Sequence, residues 1–342
     1  MKVGVITFLI QNLNRNNPHM IYLNEKDLKK IGIDWNETIN VIEGAVKCLD
    51  EKDFSQPIKP YLKYKDVKNR IIAMPAYVGG KFNVAGIKWI SSFPRNIDNN
   101  IPRAHSVVVL NNADTGEPTA IINTALLSIV RTASVSGLIM KYYNKARSLK
   151  KFNLGIIGWG PIGQHHFKMF IDLFGNKIAK VFLYDIRPII DKKEIDFPDK
   201  NKVIVAKNWQ EAYQDSDVFV TCTVSKERYI DKKPKDGSLH LNISLRDYKV
   251  DSFDYFKNAI IVDDWDEVCR ENTDVEIMHK ERGLNKKDAG NIKDIVCRNL
   301  LNTIEKEKSI MFNPMGMGIF DIAVGQYYYK KALDNGIGRN LK

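Results

Sequence analysis

Residues 154–163 have the sequence Leu-Gly-Ile-Ile-Gly-Trp-Gly-Pro-Ile-Gly, and this stretch decides the fold of the chain. Its apolar first half suits a buried β-strand, and three glycines then follow in the spacing G-x-G-x-x-G. The residues after Gly163 suit a helix, and Asp185 ends the next apolar run, about twenty residues further on. A strand, a glycine turn, a helix and a later acid in this order are typical of a fold that binds a dinucleotide.

Each residue of the turn has a distinct physical part in such a fold. Gly158 allows the tight turn, Gly160 lets the backbone approach a pyrophosphate, and Gly163 lets the helix pack closely on the strand. Pro161 and Ile162 open the helix, whose N-terminal N–H groups and positive dipole end then face the phosphates. The turn therefore predicts a cofactor site made of these five residues.

Asp185 indicates which dinucleotide is bound. Its carboxylate is expected to accept hydrogen bonds from the adenosine ribose hydroxyls, and its negative charge would repel a 2′-phosphate. This favours NAD over NADP, although Arg187, two residues later, weakens the argument.

The second half of the chain alternates short apolar runs with helical stretches. The runs are rich in β-branched residues, which is typical of parallel strands buried on both faces with crossover helices between them. The predicted fold class is therefore α/β, with a doubly wound parallel sheet of the Rossmann type. The predicted strands are residues 154–157, 181–184, 203–205, 218–222, 240–243 and 259–262.

The first part of the chain mixes helical and extended patterns. The spacing of apolar residues predicts a helix over 28–49, strands over 70–75, 85–90 and 106–110, and a turn over 111–118. A second helix is predicted over 123–143, where small residues at Ala133, Ser134, Ser136 and Gly137 would allow close packing. A last region begins near Met311, includes a helix over 319–334, and is too short to be a domain. We expect it to return and pack on the first region.

Composition excludes several classes of protein. With 342 residues the chain suits about two domains of roughly 150 residues, and 44% hydrophobic with 27% charged residues excludes disordered and fibrous classes. Four separated cysteines without a C-x-x-C pair support neither a zinc site nor a disulfide framework, and favour a reducing cytoplasm. No apolar run is long enough to span a membrane. Residues 1–19 form a leader of unknown role.

The net charge of +11 admits two explanations, which are affinity for nucleic acid or a membrane and attraction of a small anionic substrate. Basic residues are scattered along the chain without a block of five or six, which argues against nucleic acid and membrane partners and is typical of a solvated surface. The same excess of cations would also attract a small anionic substrate.

Three charged residues lie in otherwise apolar or small-residue surroundings, where an isolated charge is costly. Lys88 is inside a predicted strand, Arg131 interrupts a helical stretch, and Asp247 follows a predicted strand at the edge where doubly wound sheets bind ligands. Arginine suits a carboxylate, lysine is a compact charge, and aspartate can accept a proton from an amine. Together they indicate an NAD enzyme acting on an amino acid; the alternative is that all three are ordinary ion-paired residues.

These residues also lie within recognisable motifs, in a fixed order along the chain. The motifs are Gly-Ile-Lys88-Trp-Ile, Leu-x-x-x-Val-Arg131-Thr-Ala, the glycine turn with Tyr184-Asp185, Leu241-Asn-Ile-Ser-Leu-Arg-Asp247 and Gly316-x-x-Ile-x-Asp321. In them the sequence resembles the ornithine cyclodeaminase/mu-crystallin family over nearly the whole chain from Met20.

The resemblance implies a NAD-binding Rossmann domain, residues 141–310, inserted into a split α+β domain, residues 20–140 plus 311–342, that binds substrate and forms a homodimer. It also implies roles for single residues. Lys88 and Arg131 would hold a substrate carboxylate, and Asp247 would handle protons at the amine, with Asp247 and Lys88 as the catalytic residues. The remaining expected contacts are Thr223 and Ser244 at the nicotinamide, Arg103 and Lys249 at the cofactor, Lys59, Arg246 and Met315 at the substrate, and no metal.

Within the family, the resemblance is strongest to a branch that makes L-2,3-diaminopropionate for the siderophore staphyloferrin B. It rests on residues 56–61, 70–75, 262–270 and 312–317. Lys59 stands where cyclodeaminases carry a substrate-binding arginine, and Ser-Leu-Arg precedes Asp247 instead of a glycine-rich stretch. Both departures suit a more acidic substrate than ornithine, for which Lys59, Arg103 and Arg246 are candidate cations.

The activity implied by that branch is NAD-dependent oxidative cleavage of a secondary amine, which releases 2-oxoglutarate. Three alternatives remain open. They are an ornithine or lysine cyclodeaminase that uses NAD catalytically, a mu-crystallin-like protein that binds a dinucleotide and a small ligand, and a reductase of imines. Accumulation of NADH would distinguish the dehydrogenase from the cyclodeaminase.

Overall fold

The computed structural model describes residues 20–66, 68–189 and 199–341, so the predicted leader, residues 1–19, lies outside the described residues. The chain forms two compact units. Unit 1 contains residues 20–32, 55–127 and 321–341, and unit 2 contains residues 33–54 and 128–320.

Unit 1 is built on a mostly antiparallel sheet. Its strands lie in the order β16-β1-β7-β6-β5-β4-β2, and β3 pairs with β4. Only β1 and β7 run parallel within this order among the pairings described. The strands are β1 (Met20–Asn24), β2 (Phe54–Ser55), β3 (Tyr61–Leu62), β4 (Arg70–Val78), β5 (Val84–Ser92), β6 (Ala104–Asn112), β7 (Pro118–Asn123) and β16 (Arg339–Leu341).

The two faces of this sheet differ because successive side chains of a strand point to opposite sides. On β6, Ser106, Val108 and Leu110 are buried, whereas Val107 and Val109 between them are only half-buried. Helix α10 (Gly318–Asp334) packs on the buried face, and a Cβ on Gly86 would come within 2.9 Å of Cδ1 of Ile322 on this helix. The face that α10 covers is therefore the core of unit 1.

Unit 2 is the doubly wound domain that the sequence predicts. All pairings described in its sheet are parallel, in the strand order β10-β9-β8-β11-β12-β15-β13-β14. The strands are β8 (Phe152–Ile157), β9 (Ile178–Tyr184), β10 (Val203–Val205), β11 (Val218–Thr221), β12 (Leu239–Asn242), β13 (Ile260–Val262), β14 (Gly290–Asn291) and β15 (Ile310–Asn313).

The helices complete both units. Helix α1 (Glu25–Ile31) belongs to unit 1. The α-helices of unit 2 are α2 (Trp35–Glu51), α3 (Leu126–Arg147), α4 (Pro161–Phe174), α5 (Trp209–Gln214), α6 (Phe253–Phe256), α7 (Trp265–Val268), α8 (Asp274–Arg282) and α9 (Ile292–Arg298).

The strand order places a ligand-binding crevice at a defined point. From β8 the chain proceeds to β9 and β10 on one side, and then returns to β11 and β12 on the other. The order reverses between β8 and β11, and ligands of open parallel sheets bind at the carboxyl ends of the strands at such a point. The glycine turn follows β8 directly, so it lies at this switch point.

Close packing of α3 confirms the expectation from its small residues. A Cβ on Gly137 would lie 2.5 Å from Cδ1 of Ile39 on α2 and 3.2 Å from Sδ of Met169 on α4. Ser134 donates a hydrogen bond to the hydroxyl of Thr38 over 2.9 Å. The lack of bulk on α3 therefore lets helices α2 and α4 approach it.

The single helix predicted over 28–49 is wrong. Helix α1 ends at Gly32, whose φ of +87° leaves the helical region, and α2 begins after Asp34, whose side chain caps it by accepting from the N–H of Glu37 over 2.9 Å. Gly32 also marks the point where the chain leaves unit 1. The apolar pattern continued across the break because both helices bury a face.

The two units divide the chain at points other than the predicted domain boundaries. Helix α3 and residues 33–54 group with unit 2, and β15, expected in the returning region, pairs with β12 and β13 in the parallel sheet. The chain rejoins unit 1 only at Asp321. Most of α10 therefore groups with unit 1, and the chain leaves the parallel sheet one strand later than the predicted boundary.

Candidate active site

The glycine turn of unit 2 is held tightly from two sides. Gly158 has φ of +93°, and a Cβ there would lie 2.5 Å from the carbonyl oxygen of Cys222. A Cβ on Gly163 would lie 2.0 Å from the carbonyl oxygen of Gly158. Any side chain at either position would collide with backbone, so both glycines are required by the packing of strand, turn and helix.

Gly160 differs from its two neighbours in the motif, because a Cβ there would meet nothing within 4 Å. It is the N-cap of α4, has no side chain to cap the helix, and is followed by Pro161 in the first turn. No side chain at the N-cap therefore blocks access to the N-terminal N–H groups of α4. This arrangement fits the backbone approach that a pyrophosphate requires.

Asp185 follows β9, beside this turn. One of its carboxylate oxygens accepts the N–H of Trp159 over 2.7 Å, and the other accepts the N–H of Arg187 over 2.8 Å. Burial alone would raise the pKa of Asp185, but the hydrogen bonds from Arg187 and Trp159 hold it below the usual value. The carboxylate is therefore ionised at neutral pH, as an acceptor for ribose hydroxyls must be.

Asp247 lies fully buried after β12, and two hydroxyl groups hold its carboxylate. Thr223 donates to one oxygen and Ser244 to the other. Burial raises the pKa of Asp247 above its usual value, and the hydrogen bonds from Ser244 and Thr223 partly offset this. A buried carboxylate with a raised pKa is suited to exchange protons near neutral pH.

The Asp247 site adjoins the glycine turn. A Cβ on Gly158 would lie 3.0 Å from the backbone nitrogen of Thr223, the residue that donates to Asp247. The carboxyl ends of β8 and β11 are paired neighbours, with Ile157 opposite Thr221. The structure therefore brings together the predicted residues Gly158, Thr223, Ser244 and Asp247.

A network of buried polar groups lies beneath Asp247. Asp274, which is 1% exposed, accepts the N–H of Asp247 over 3.1 Å and the side-chain amide of Asn242 over 3.0 Å. Arg228 donates to the other oxygen of Asp274 over 2.7 Å. Burial raises the pKa of Asp274, opposed by the hydrogen bond from Asn242 and the charge of Arg228. This network fixes the backbone from which the Asp247 side chain projects.

The loop before Asp247 is strained at one residue. Leu245 has φ of +63°, a left-handed conformation that is uncommon for a residue other than glycine. Its N–H donates to the side-chain oxygen of Asn242 over 3.1 Å, and its side chain is 3% exposed. The hydrogen bond and the burial maintain a turn that directs the next residues back toward β11.

Arg131 lies on α3, 7% exposed, against a second tight turn. A Cβ on Gly316 would lie 2.7 Å from Nη1 of Arg131, and the φ of +83° at this position also favours glycine. The carboxylate of Asp263 accepts the N–H groups of Met315 and Gly316 over 3.0 and 2.7 Å. Asp263 thus holds the turn on which Arg131 rests, and places Met315 near it.

Lys88 lies on β5 in unit 1, and its ammonium contacts Asp321 of α10 over 2.9 Å. Both side chains are at most 1% exposed. Lys59, in the same unit, is also buried, and Arg103 is half-buried just before β6. Of the three cationic side chains predicted as substrate or cofactor contacts in unit 1, Lys59 and Lys88 are therefore buried and Arg103 is half-buried.

Two predicted contacts have partners within unit 2. The guanidinium of Arg246 donates to the carbonyl oxygen of Glu271 over 2.7 Å, which ties the Asp247 loop to the segment before α8. The ammonium of Lys249 pairs with Asp231 over 2.7 Å at an exposed position. Their roles toward substrate and cofactor remain predictions.

Sequence reasoning did not single out Asp274, and it included Asp321 and Asp263 only within motifs, without assigning a role to either. Asp274 lies in the first turn of α8, directly after the cap Thr273. Asn242 offered the available signal, as an amide within the buried strand β12. Polar residues in such strands require partners.

The described ranges contain no helix long and apolar enough to cross a membrane. Within the same part of the chain, no three or more His, Cys, Asp or Glu side chains are grouped so that they could hold a metal ion.

Comparison with known proteins agrees with this geometry. The chain is 31% identical over 338 residues to the N-((2S)-2-amino-2-carboxyethyl)-L-glutamate dehydrogenase of Staphylococcus aureus, covering 95% of this chain and 99% of that protein. The Δ(1)-pyrroline-2-carboxylate reductase of Thermococcus litoralis, solved with NADH and L-proline, superposes with a TM-score of 0.84 at 22% identity, covering 94% and 100% of the two chains. An archaeal alanine dehydrogenase dimer with bound NAD superposes with a TM-score of 0.80 at 23% identity, covering 95% and 99%.

The two structural similarities show the fold. The family is shown by a model that matches residues 22–336, nearly all of the described chain, and it agrees with the family that the sequence motifs resemble. This chain belongs to the ornithine cyclodeaminase/mu-crystallin family.

Proposed function

We propose that this chain is a NAD-dependent dehydrogenase that cleaves N-(2-amino-2-carboxyethyl)-L-glutamate to 2-oxoglutarate and L-2,3-diaminopropionate in the cytoplasm, for siderophore-type biosynthesis. The observation that carries the proposal is a buried carboxylate, Asp247, next to a dinucleotide turn and held by two hydroxyls. The 31% identical dehydrogenase, matched along almost its whole length, supports the choice of substrate.

The residues of unit 2 fit NAD. Gly160, with free space where a Cβ would be, and the N-terminus of α4 would hold the pyrophosphate, and the ionised Asp185 would hold the adenosine ribose. Thr223 and Ser244 would line the nicotinamide side. When bound, NAD supplies the acceptor for the hydride that leaves the substrate.

Asp247 is suited to the proton transfers of this reaction. Loss of hydride from the glutamate α-carbon leaves an iminium, to which water adds. As the new C–O bond forms, the C=N electron pair moves to nitrogen and a water proton passes to the Asp247 carboxylate. Asp247 then returns the proton to the nitrogen. As the C–N bond breaks, its electron pair leaves with the nitrogen, the hydroxyl oxygen forms the C=O bond and its proton passes back to the Asp247 carboxylate, which releases 2-oxoglutarate and L-2,3-diaminopropionate.

The cations of the site suit a substrate with several carboxylates. We assign Arg131 and Lys88 to carboxylate recognition, because a guanidinium binds a carboxylate in a bidentate manner and a buried ammonium is a strong point charge. We assign Lys59 and Arg103 as further cations for an acidic substrate, and Arg246 and Met315 as further substrate contacts. The positive net charge would favour encounter with such an anion.

The reaction is tested by mixing purified protein and NAD with the glutamate conjugate, and in parallel with ornithine and lysine. NADH formed only with the conjugate, in equal amount to 2-oxoglutarate, supports the proposal. Ammonia released from ornithine or lysine without net NADH would identify a cyclodeaminase. NADH binding without turnover of any of the three compounds would favour an imine reductase or a binding protein.

Replacing Gly160 by alanine is expected to weaken NADH binding by about tenfold or more, because the added methyl group occupies the space that the pyrophosphate backbone needs. The thermal midpoint of unfolding should stay close to wild type, since a Cβ there meets no atom within 4 Å and φ is −78°. NADH fluorescence titration measures the first effect and calorimetry the second. Unchanged NADH affinity would remove Gly160 from the cofactor site.

We also propose that unit 1 forms a homodimer through the sheet face that α10 does not cover. Apolar side chains cross this face in two rows that follow the strand register. Trp89, 45% exposed, is in one of them. Large exposed apolar rows on a sheet mark an interaction surface, and a twofold axis makes one such face complementary to its copy. The rows are Ala73–Trp89–Val107 and Pro75–Ile87–Val109–Ile121.

Replacing Trp89 by lysine is expected to convert a dimer to a monomer, because it places a charge in the middle of the proposed interface. Light scattering coupled to gel filtration measures the mass of each. Leu333→Lys, at an exposed position on α10, is the matched control and should leave the mass unchanged. A wild-type protein that elutes as a monomer would contradict the dimer.

A further inference from the structure

Tyr229 lies beside Asp247 in unit 2. The N–H groups of Tyr229 and Ile230 both donate to the carbonyl oxygen of Asp247, over 2.9 and 2.8 Å, so the two segments run side by side. The ring of Tyr229 packs edge to face on Trp209, with ring centroids 5.6 Å apart. Backbone and ring contacts therefore fix the direction of the phenol.

The hydroxyl oxygen of Tyr229 is buried close to the Asp247 carboxylate and the Thr223 hydroxyl, but its contacts with these groups fall short of good hydrogen-bond geometry. Buried polar atoms in folded proteins nearly always have a partner, and an exception points to a ligand, a water or a catalytic role. Burial, followed by the charge of Asp247, raises the pKa of this phenol far above its ordinary value. The phenol is therefore neutral, close to Asp247, and available to a further partner.

We propose that the Tyr229 hydroxyl and the Asp247 carboxylate together hold the water that adds to the iminium. This inference rests on the proposed function. A bound water needs two or more polar partners: it would donate one hydrogen to Asp247 and the other to the Tyr229 oxygen, leaving a lone pair for the iminium carbon. When the C–O bond forms, the proton passes to Asp247 and Tyr229 keeps its own.

In this role Tyr229 acts on the addition of water and not on hydride transfer, whereas a merely structural role would affect both steps alike. Hydride transfer needs no water, so Tyr229→Phe should form NADH in a single turnover close to the wild-type rate. Release of 2-oxoglutarate should slow by about tenfold to a hundredfold, because the water loses one of its two holders. Stopped-flow absorbance follows NADH and quenched-flow analysis follows 2-oxoglutarate. The signature is a burst of NADH followed by slow turnover.

Tyr213→Phe is the matched control. Tyr213 also packs on Trp209, with ring centroids 5.7 Å apart, but its hydroxyl already donates to the carbonyl oxygen of Lys232 over 3.0 Å. Neither step should change in this variant beyond any loss of stability. Equal slowing of both steps in Tyr229→Phe, or unchanged 2-oxoglutarate release, would overturn the inference while leaving the dehydrogenase intact.

Two further outcomes complete the test. If the wild-type protein forms no NADH from the glutamate conjugate, the proposed function itself fails, and the inference falls with it. If Tyr229→Phe no longer binds NADH, the test passes to Tyr229→His, which keeps a polar ring atom. The shorter imidazole does not reach the position of the phenol oxygen, so this variant should form NADH in a single turnover close to the wild-type rate and release 2-oxoglutarate slowly, and equal slowing of both steps would overturn the inference.

Discussion

Asp247→Asn is expected to lower kcat by about a hundredfold to ten-thousandfold, the range that one general acid–base group contributes, while NADH binding is retained. The amide keeps the size of the side chain and accepts a hydrogen bond from Thr223 or Ser244, but it cannot take the proton of water or amine. Steady-state NADH formation measures turnover, and fluorescence titration measures NADH affinity. Full turnover in Asp247→Asn would remove the proton role from this residue.

The pH dependence gives an independent check. Because burial raises the pKa of Asp247, the base form is present above that raised pKa and is lost as pH falls through it. The acid limb of kcat/KM should therefore lie above the ordinary aspartate pKa of about 3.9, and disappear in Asp247→Asn. Asp254→Asn, at an exposed ion pair with Arg282, should keep the wild-type profile. The other titratable groups coupled to Asp247 are Asp274, Cys222, Tyr229 and Tyr248.

Asp321→Ala is expected to lower the free energy of unfolding by about 3–5 kcal/mol, the cost of leaving one partner of a buried ion pair. The ammonium of Lys88 would stay buried on β5 without the carboxylate that contacts it over 2.9 Å. This is a large part of the 5–15 kcal/mol by which folded proteins are usually stable. Urea unfolding, followed by a probe in unit 1, measures the change.

The double variant Lys88→Met/Asp321→Leu separates stability from function. It removes both charges and restores apolar packing, so it should recover most of the stability that Asp321→Ala loses. It should nevertheless be inactive, because the ammonium group of Lys88 is gone. Asp266→Asn, at the exposed pair with Lys286, should leave the free energy of unfolding nearly unchanged. If Asp321→Ala proves as stable as Asp266→Asn, the pair is not the organising contact of unit 1.

Local patterns sufficed to predict six of the eight strands in the parallel sheet of unit 2, whereas β14 and β15 were not predicted. Its strands are short and apolar, and the glycine turn has steric requirements that only a few residues meet, so β8, the turn and Asp185 lie where expected. The break at Gly32 was missed because two successive helices bury faces of similar composition. A periodic pattern of apolar residues shows that one face of a helix is buried, but it does not show which unit that face packs on.

Only some of the contacts around the predicted site residues could be predicted from the sequence, because a residue pattern does not show which distant residue a side chain meets. Asp247, Thr223 and Ser244 lie at strand ends within one unit, and the edge rule for parallel sheets brings such residues together. The contact of Lys88 with Asp321 joins residues 233 positions apart, and no spacing predicts it. Leu245 adopts a backbone conformation that its residue type disfavours, so the turn it makes could not be predicted from the residue pattern.

The order in which unit 1 is assembled along the chain bears on its synthesis. Its strands β4 to β7 are translated early, but α10 and β16, which cover and extend their sheet, come last. About two hundred residues of unit 2 are made in between, which takes on the order of ten seconds or more at ribosomal rates. Much of unit 2 can therefore begin to fold during synthesis, whereas the apolar face of the unit 1 strands stays uncovered until α10 has been made. This interval is when a holdase chaperone would bind the nascent chain.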